Sequence, residues 1–133
     1  MTDYVADTHA LIWYLEDSEK LGREASAAFD SCDRGEATIF VPTICLIELI
    51  YLQEKGRIPN DLKKNLDAHL ATGLASFVPV DLTLAVVAAL QSISRDDVPD
   101  LPDRIIAATA RTLDLPLISR DRALQKSGLS VVW

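Results

Sequence analysis

Along this chain the apolar positions alternate between short unbroken runs and stretches in which they return every three or four residues. The first pattern suits buried strands, the second amphipathic helices. Residues 3 to 7 (DYVAD) read as a first strand, followed by a helix over residues 9 to 16 that turns Leu11, Ile12 and Leu15 inward. A second helical stretch covers residues 19 to 32. TIFV, residues 38 to 41, reads as a second strand that Pro42 stops. Thr43 is placed to cap a helix running to about Lys55, with Gly56 closing it. Leu62, Leu66 and Leu70 recur at i, i+4, i+8 and predict an amphipathic helix over residues 60 to 72. SFVPV, residues 76 to 80, is the third strand; Asp81 then caps a strongly apolar helix over residues 82 to 93. The loop RDDVPDLPD leads into a helix carrying Ile105, Ile106, Ala110 and Leu113. PLIS is a fourth strand, residues 121 to 127 a short helix, and LSVVW a fifth strand. Strands separated by helices predict a doubly wound α/β sandwich: a parallel sheet with helices on both faces.

One stretch breaks the pattern. ICLIELIYL, residues 44 to 52, holds a single charge, Glu48, among apolar and aromatic neighbours. A carboxylate alone in a dry interior is either neutralised or costly. A buried cation, a hydrogen-bond donor, a wet cleft or a metal ion must meet it.

Composition narrows the choice. At 133 residues the chain has the length of one domain, 1–133, and its 49% hydrophobic content builds a core without disulfides or a structural metal. Its apolar runs fall short of the ~20 residues that span a bilayer. The start, MTDYVADTHA, lacks the basic and apolar segments of a secretory signal. Cys32 and Cys45 have no metal-ligand spacing and read as free thiols in a reducing compartment. The expectation is a cytoplasmic protein with no membrane contact. A net charge of −7 argues against bulk attraction to nucleic acid. It leaves room for a nucleic-acid enzyme whose acids are masked by divalent cations, and for a basic protein partner.

The acids themselves are suggestive. In open α/β sheets, ligands bind beyond the carboxyl ends of the strands where strand order reverses. Asp7 closes the first strand, Asp121 follows the fourth, and Glu48 lies one and a half turns into the helix after the second. Asp103 sits in the first turn of a helix that follows no strand directly, so pattern alone does not place it. Singly, Asp7 and Asp121 also suit capping or turn roles, and Asp103 a helix dipole. Together they are harder to dismiss. Two carboxylates ~4 Å apart repel by about 4 kcal/mol at an effective dielectric near 20, so four that converge require a cation. No Lys or Arg lies in residues 1 to 19 or 36 to 54. Oxygen-only ligands select Mg²⁺ or Mn²⁺ over zinc. Thr8 and Ser119, hydroxyls beside the acids, are candidates to bind ordered waters or a phosphate oxygen, and Arg104, Arg120 and Arg122 are the nearest cations for phosphates. His9 and Asp100 stay unassigned, and Trp13 reads as packing or interface.

DTHALIW, the acid in ICLIELIYL, PDRIIAATA and LPLISRD occur in the order and spacing of the PIN-domain ribonucleases, and the chain most resembles their VapC-type toxins. The resemblance runs from Asp3 to Trp133. It implies a PIN-like three-layer sandwich with a five-stranded parallel sheet in the order 3-2-1-4-5. It also implies that Asp7, Glu48, Asp103 and Asp121 form an acidic metal-binding quartet for Mg²⁺-dependent hydrolysis of RNA, leaving 5′-phosphate and 3′-hydroxyl ends. The partners it implies are a cognate antitoxin and a second copy of the chain. The Leu62, Leu66, Leu70 stripe and residues 82 to 90 are the candidate apolar faces for them.

Three rivals remain. A receiver-type signalling domain shares the size and an acidic Mg²⁺ pocket, with Asp81 as acceptor, but no lysine follows the fifth strand. A haloacid-dehalogenase-like phosphatase needs a second acid where His9 stands. A binding module whose acids serve structure alone is separated from the nuclease by metal-dependent RNA cleavage.

Overall fold

The computed structural model of the protein describes residues 2–71 and 77–133. Five strands, β1 (Tyr4–Ala6), β2 (Ile39–Pro42), β3 (Phe77–Val80), β4 (Leu117–Ile118) and β5 (Val131–Val132), form one sheet. All neighbours run parallel, in the order β3-β2-β1-β4-β5, as expected. Among the described residues six α-helices surround it: α1 (Thr8–Leu15), α2 (Arg23–Asp33), α3 (Thr43–Glu54), α4 (Leu62–Ala71), α5 (Leu84–Leu90) and α6 (Leu101–Leu113). A short 3-10 helix, Arg122–Ser127, links β4 to β5.

The core forms where unbroken apolar runs meet helical stripes. Val5, Ile39, Val41, Leu117 and Ile118 of the sheet are fully buried, against Leu11, Phe29, Leu49 and Leu66 from the helices. Each such side chain contributes about 1.5–3 kcal/mol on leaving water. Leu62 and Leu66 belong to this core and Leu70 packs against it, so the stripe on α4 faces inward.

Several boundaries differ from the expected ones, each for a local reason. Residues 19 to 22 are turn rather than helix; Asp17 takes a positive φ and Gly22 caps the start of α2. Pro42 ends β2 from within it and is the N-cap residue of α3, so Thr43 is the first helical residue and not the cap. The cap of α5 is Thr83, whose hydroxyl accepts from the Val86 N–H; Asp81 stands clear of the helix. α5 stops at Leu90, because a turn drops Ile93 and then Val98 into the core. Residue 72, expected to close the fourth helix, and residue 76, expected in β3, lie outside the described residues.

The sheet order reverses between β1 and β4, both of which end at the same edge. The Asp7 N–H donates to the Ile118 carbonyl at 3.1 Å, which aligns the two strand ends. α3 is anchored over this edge by its first turn, where the buried Cys45 thiol meets the Ala6 carbonyl at 3.7 Å. No helix among the described residues is long and apolar enough to cross a membrane.

Candidate active site

A cleft of about 660 Å³ opens at the strand-order reversal, lined by Asp7, Thr8, Glu48, Asp103 and Asp121, with His9, Trp13, Asp100 and Arg120 completing its wall. The four acids expected to meet therefore share one cavity, although they come from four separate parts of the chain. Each is aimed by its own element.

Asp7 follows β1 directly and caps α1: its Oδ1 accepts from the Ala10 N–H at 2.8 Å. Ser119, fully buried just after β4, adds a side-chain hydrogen bond to the same carboxylate. Capping and site membership are thus compatible, since one carboxylate oxygen serves the helix. Burial still pushes the Asp7 pKa up, against the lowering effect of its two hydrogen bonds.

Glu48 lies three residues beyond Cys45, on the helix face that covers the end of β1. The buried Thr8 hydroxyl donates to its Oε1 at 2.5 Å. A donor and a cleft together are what meets the lone charge of ICLIELIYL. Desolvation raises the Glu48 pKa, the Thr8 hydrogen bond opposes this, and the negative charge of Asp100 adds to it.

Asp103 reaches the cleft through a helix that follows another helix. The Asp100 side chain caps α6 by accepting from the Asp103 N–H at 3.2 Å. Neighbouring residues on a helix point about 100° apart, so Asp103 and Arg104 face different ways. Arg104 faces α5: its guanidinium donates to the Ile93 carbonyl at 2.8 Å and the Leu90 carbonyl at 3.1 Å. It ties down the turn after α5 and does not line the cleft, which corrects its expected place beside a phosphate. Asp103 is left facing the other acids. Burial first, then the charges of Asp100, Glu48, Asp7 and Asp121, push its pKa up to about 7.

Asp121 caps the 3-10 helix, accepting from the Ala123 N–H at 3.0 Å, while its own N–H donates to Ser119 Oγ at 3.1 Å. Of the three expected cations, Arg120 alone lines the cleft; Arg122 is exposed and outside it. Asp81, the acceptor of a receiver-type domain, is likewise exposed and outside it. His9 and Asp100, left unassigned by the sequence, and Trp13, expected in packing or an interface, all line it.

The donor set fits a hard divalent ion. It is built of oxygens, and the ion pairs among the described residues, Arg34 with Glu36 and Lys63 with Asp67, involve none of the cleft acids. Three of those acids carry raised pKa values. Among the described residues no three His, Cys, Asp or Glu side chains are closed up into a ready ligand cluster; the carboxylates share a cleft rather than a cage.

The sequence model of the family described as PIN domain matches residues 4–128. Ribonuclease VapC22 of Mycobacterium tuberculosis is 28% identical over 130 residues, which cover 94% of this chain and 92% of that protein. Among solved structures, VapBC2 from Rickettsia felis bound to a promoter DNA fragment has a TM-score of 0.73 at 16% identity, covering 98% of each chain. DNA-bound VapBC from Salmonella typhimurium has a TM-score of 0.72 at 18% identity, covering 99% of this chain and 98% of that one. At these identities the two structures establish likeness of fold.

Proposed function

From a chain that belongs to the PIN-domain family, we propose a metal-dependent endoribonuclease that hydrolyses RNA phosphodiester bonds and acts as the toxin of a toxin–antitoxin pair. The reading assigns residues 1–133 to one PIN domain. The observation that carries it is the convergence of Asp7, Glu48, Asp103 and Asp121 on one cleft, where no ion pair among the described residues neutralises them. The relative named a ribonuclease supports the activity, and the likeness to VapBC assemblies supports the antitoxin partner.

Asp7, Asp121, Glu48 and Asp103 would hold Mg²⁺ or Mn²⁺. A divalent ion bound there supplies charge neutralisation at the phosphate and a water of lowered pKa. The chain's own residues do the rest. Thr8 holds one oxygen of Glu48, leaving the other for the cleft. Ser119 and the Ala10 N–H fix the Asp7 carboxylate. Arg120, on the rim, meets the phosphate backbone, and the surrounding acids exclude RNA that arrives without its countercharge. Water attacking the phosphorus opposite the 3′-oxygen, whose bond to phosphorus breaks, would leave a 5′-phosphate and a 3′-hydroxyl.

A protein surface accompanies the cleft. α5 exposes Leu84 (88%) and Val87 (50%), and α3 exposes Ile47, Ile50 and Tyr51. The proposal gives the α5 face to a second copy of the chain. End-sequencing of RNA fragments tests the activity. Fragments with 5′-phosphates are expected, lost on chelation and restored by Mg²⁺ or Mn²⁺. Cleavage that persists in chelator, or that leaves cyclic phosphates, overturns it.

A further inference from the structure

Trp13 stands where the acidic cleft meets solvent. Its ring lines the cleft together with Asp7 and His9, and it is only half-buried. Packing accounts for one side of it. Trp133 meets the ring edge-on, with centroids 5.5 Å apart and an interplanar angle of 66°. Trp133 is itself fixed, since its carbonyl accepts from the Glu24 N–H at 2.8 Å and the Ala25 N–H at 3.2 Å. Gly22 allows this approach: a Cβ there would lie 2.4 Å from the Trp133 carbonyl oxygen. The indole is thereby buttressed against the fold.

What gathers around the rest of the ring is not a core. The Arg120 guanidinium lies 5.7 Å from its centroid, the Lys20 ammonium 5.8 Å, and the exposed His9 ring 5.5 Å at a 48° tilt. Arg120 and Lys20 are both exposed. In a chain of net charge −7, two exposed cations flank a buttressed aromatic surface at the mouth of a cleft lined with acids. A planar ring with cations beside it suits a ligand that is flat and aromatic at one end and anionic at the other. A nucleotide has that form: base–aromatic stacking and cation–phosphate contact are how single strands are held without reading their sequence.

We propose that Trp13 is a positioning residue for the RNA: the base of a nucleotide flanking the scissile phosphate stacks on its indole. Arg120 leaves the ring as the base arrives and takes that nucleotide's phosphate, with Lys20 contributing at longer range. The proposal rests on the ribonuclease reading and deepens it. A base paired in a duplex cannot offer its face to the ring, so the platform favours unpaired RNA.

The test uses the full chain and a short single-stranded RNA of mixed sequence. With Trp133→Phe in place, Trp13 is the sole tryptophan, and its emission should quench on RNA binding in an Asp7→Asn background that does not consume the probe. Trp13→Leu should raise KM on the order of ten-fold while kcat moves far less, and Trp13→Phe should recover most of the loss. Arg120→Gln, at an exposed position that folding does not need, should raise KM and flatten its salt dependence. Unchanged Trp13 emission with RNA bound, or an unchanged KM in Trp13→Leu, overturns the platform while the nuclease stands. Wild-type protein that neither binds nor cleaves the RNA sinks the ribonuclease reading, and the platform with it.

Discussion

Single side chains at this site do two jobs, and the division shows which substitutions separate stability from activity. Asp7 gives one oxygen to the Ala10 N–H and belongs to the cleft through its carboxylate charge. Asparagine caps helices as well as aspartate but carries no charge. Asp7→Asn should therefore melt within a few degrees of the parent while losing RNA cleavage by on the order of a hundred-fold or more, which a metal-replete assay beside a thermal melt will check. Retained turnover would remove Asp7 from the site. Glu48 was conspicuous in sequence because ICLIELIYL offers it no polar neighbour, whereas its actual partner, Thr8, is forty residues away and only the fold joins them. Arg104 is the reverse case. Its place beside Asp103 in sequence suggested a phosphate ligand, yet a 100° step around α6 turns it toward the carbonyls of Leu90 and Ile93.

Helices and strands were legible in proportion to how strongly periodicity marks them. The sheet runs, α3 and α4 fall close to their expected ranges, and α6 carries the residues expected of it, because apolar spacing and burial agree there. Ends were less legible. Asp81 and Thr83 are both good capping residues two positions apart, and the choice depends on which hydroxyl or carboxylate meets the Val86 N–H. α5 also carries more apolar surface than its neighbours cover: Val86 is buried, but Leu84 and Val87 face solvent. If that face joins two copies, Leu84→Lys with Val87→Glu should yield monomers in light scattering. The fold should tolerate the change within about 0.5 kcal/mol, since neither side chain supports the monomer core. An unchanged oligomer would place the interface elsewhere.

The whole molecule feels the cleft through its proton balance. Asp7, Glu48 and Asp103 all hold protons more tightly when folded than their ordinary values allow. The folded state thus binds more protons than the unfolded one, and stability falls as pH rises. For Asp103 the loss begins near the ordinary value of 3.8 and is complete above about 7. Metal-free protein should accordingly lose melting temperature across that interval. Added Mg²⁺ should restore it, most at the upper end, and Asp103→Asn should flatten the metal-free profile. A metal-free melting temperature that climbs from pH 4 to about pH 7 would contradict the account.

Sequence by itself determined the alternation of strand and helix, and with it a parallel sheet, because burial demands apolar residues at the period of each element. Motif spacing identified the four acids and the family to which the chain belongs. Tertiary structure alone decided which neighbours turn toward those acids: Thr8 under Glu48, Arg104 away from the cleft, Trp13 and Arg120 at its rim. The reason is geometric. Hydrophobic periodicity constrains the face a residue must bury, but says little about where the polar remainder points. That direction is set by helix rotation and by contacts between segments far apart in the chain.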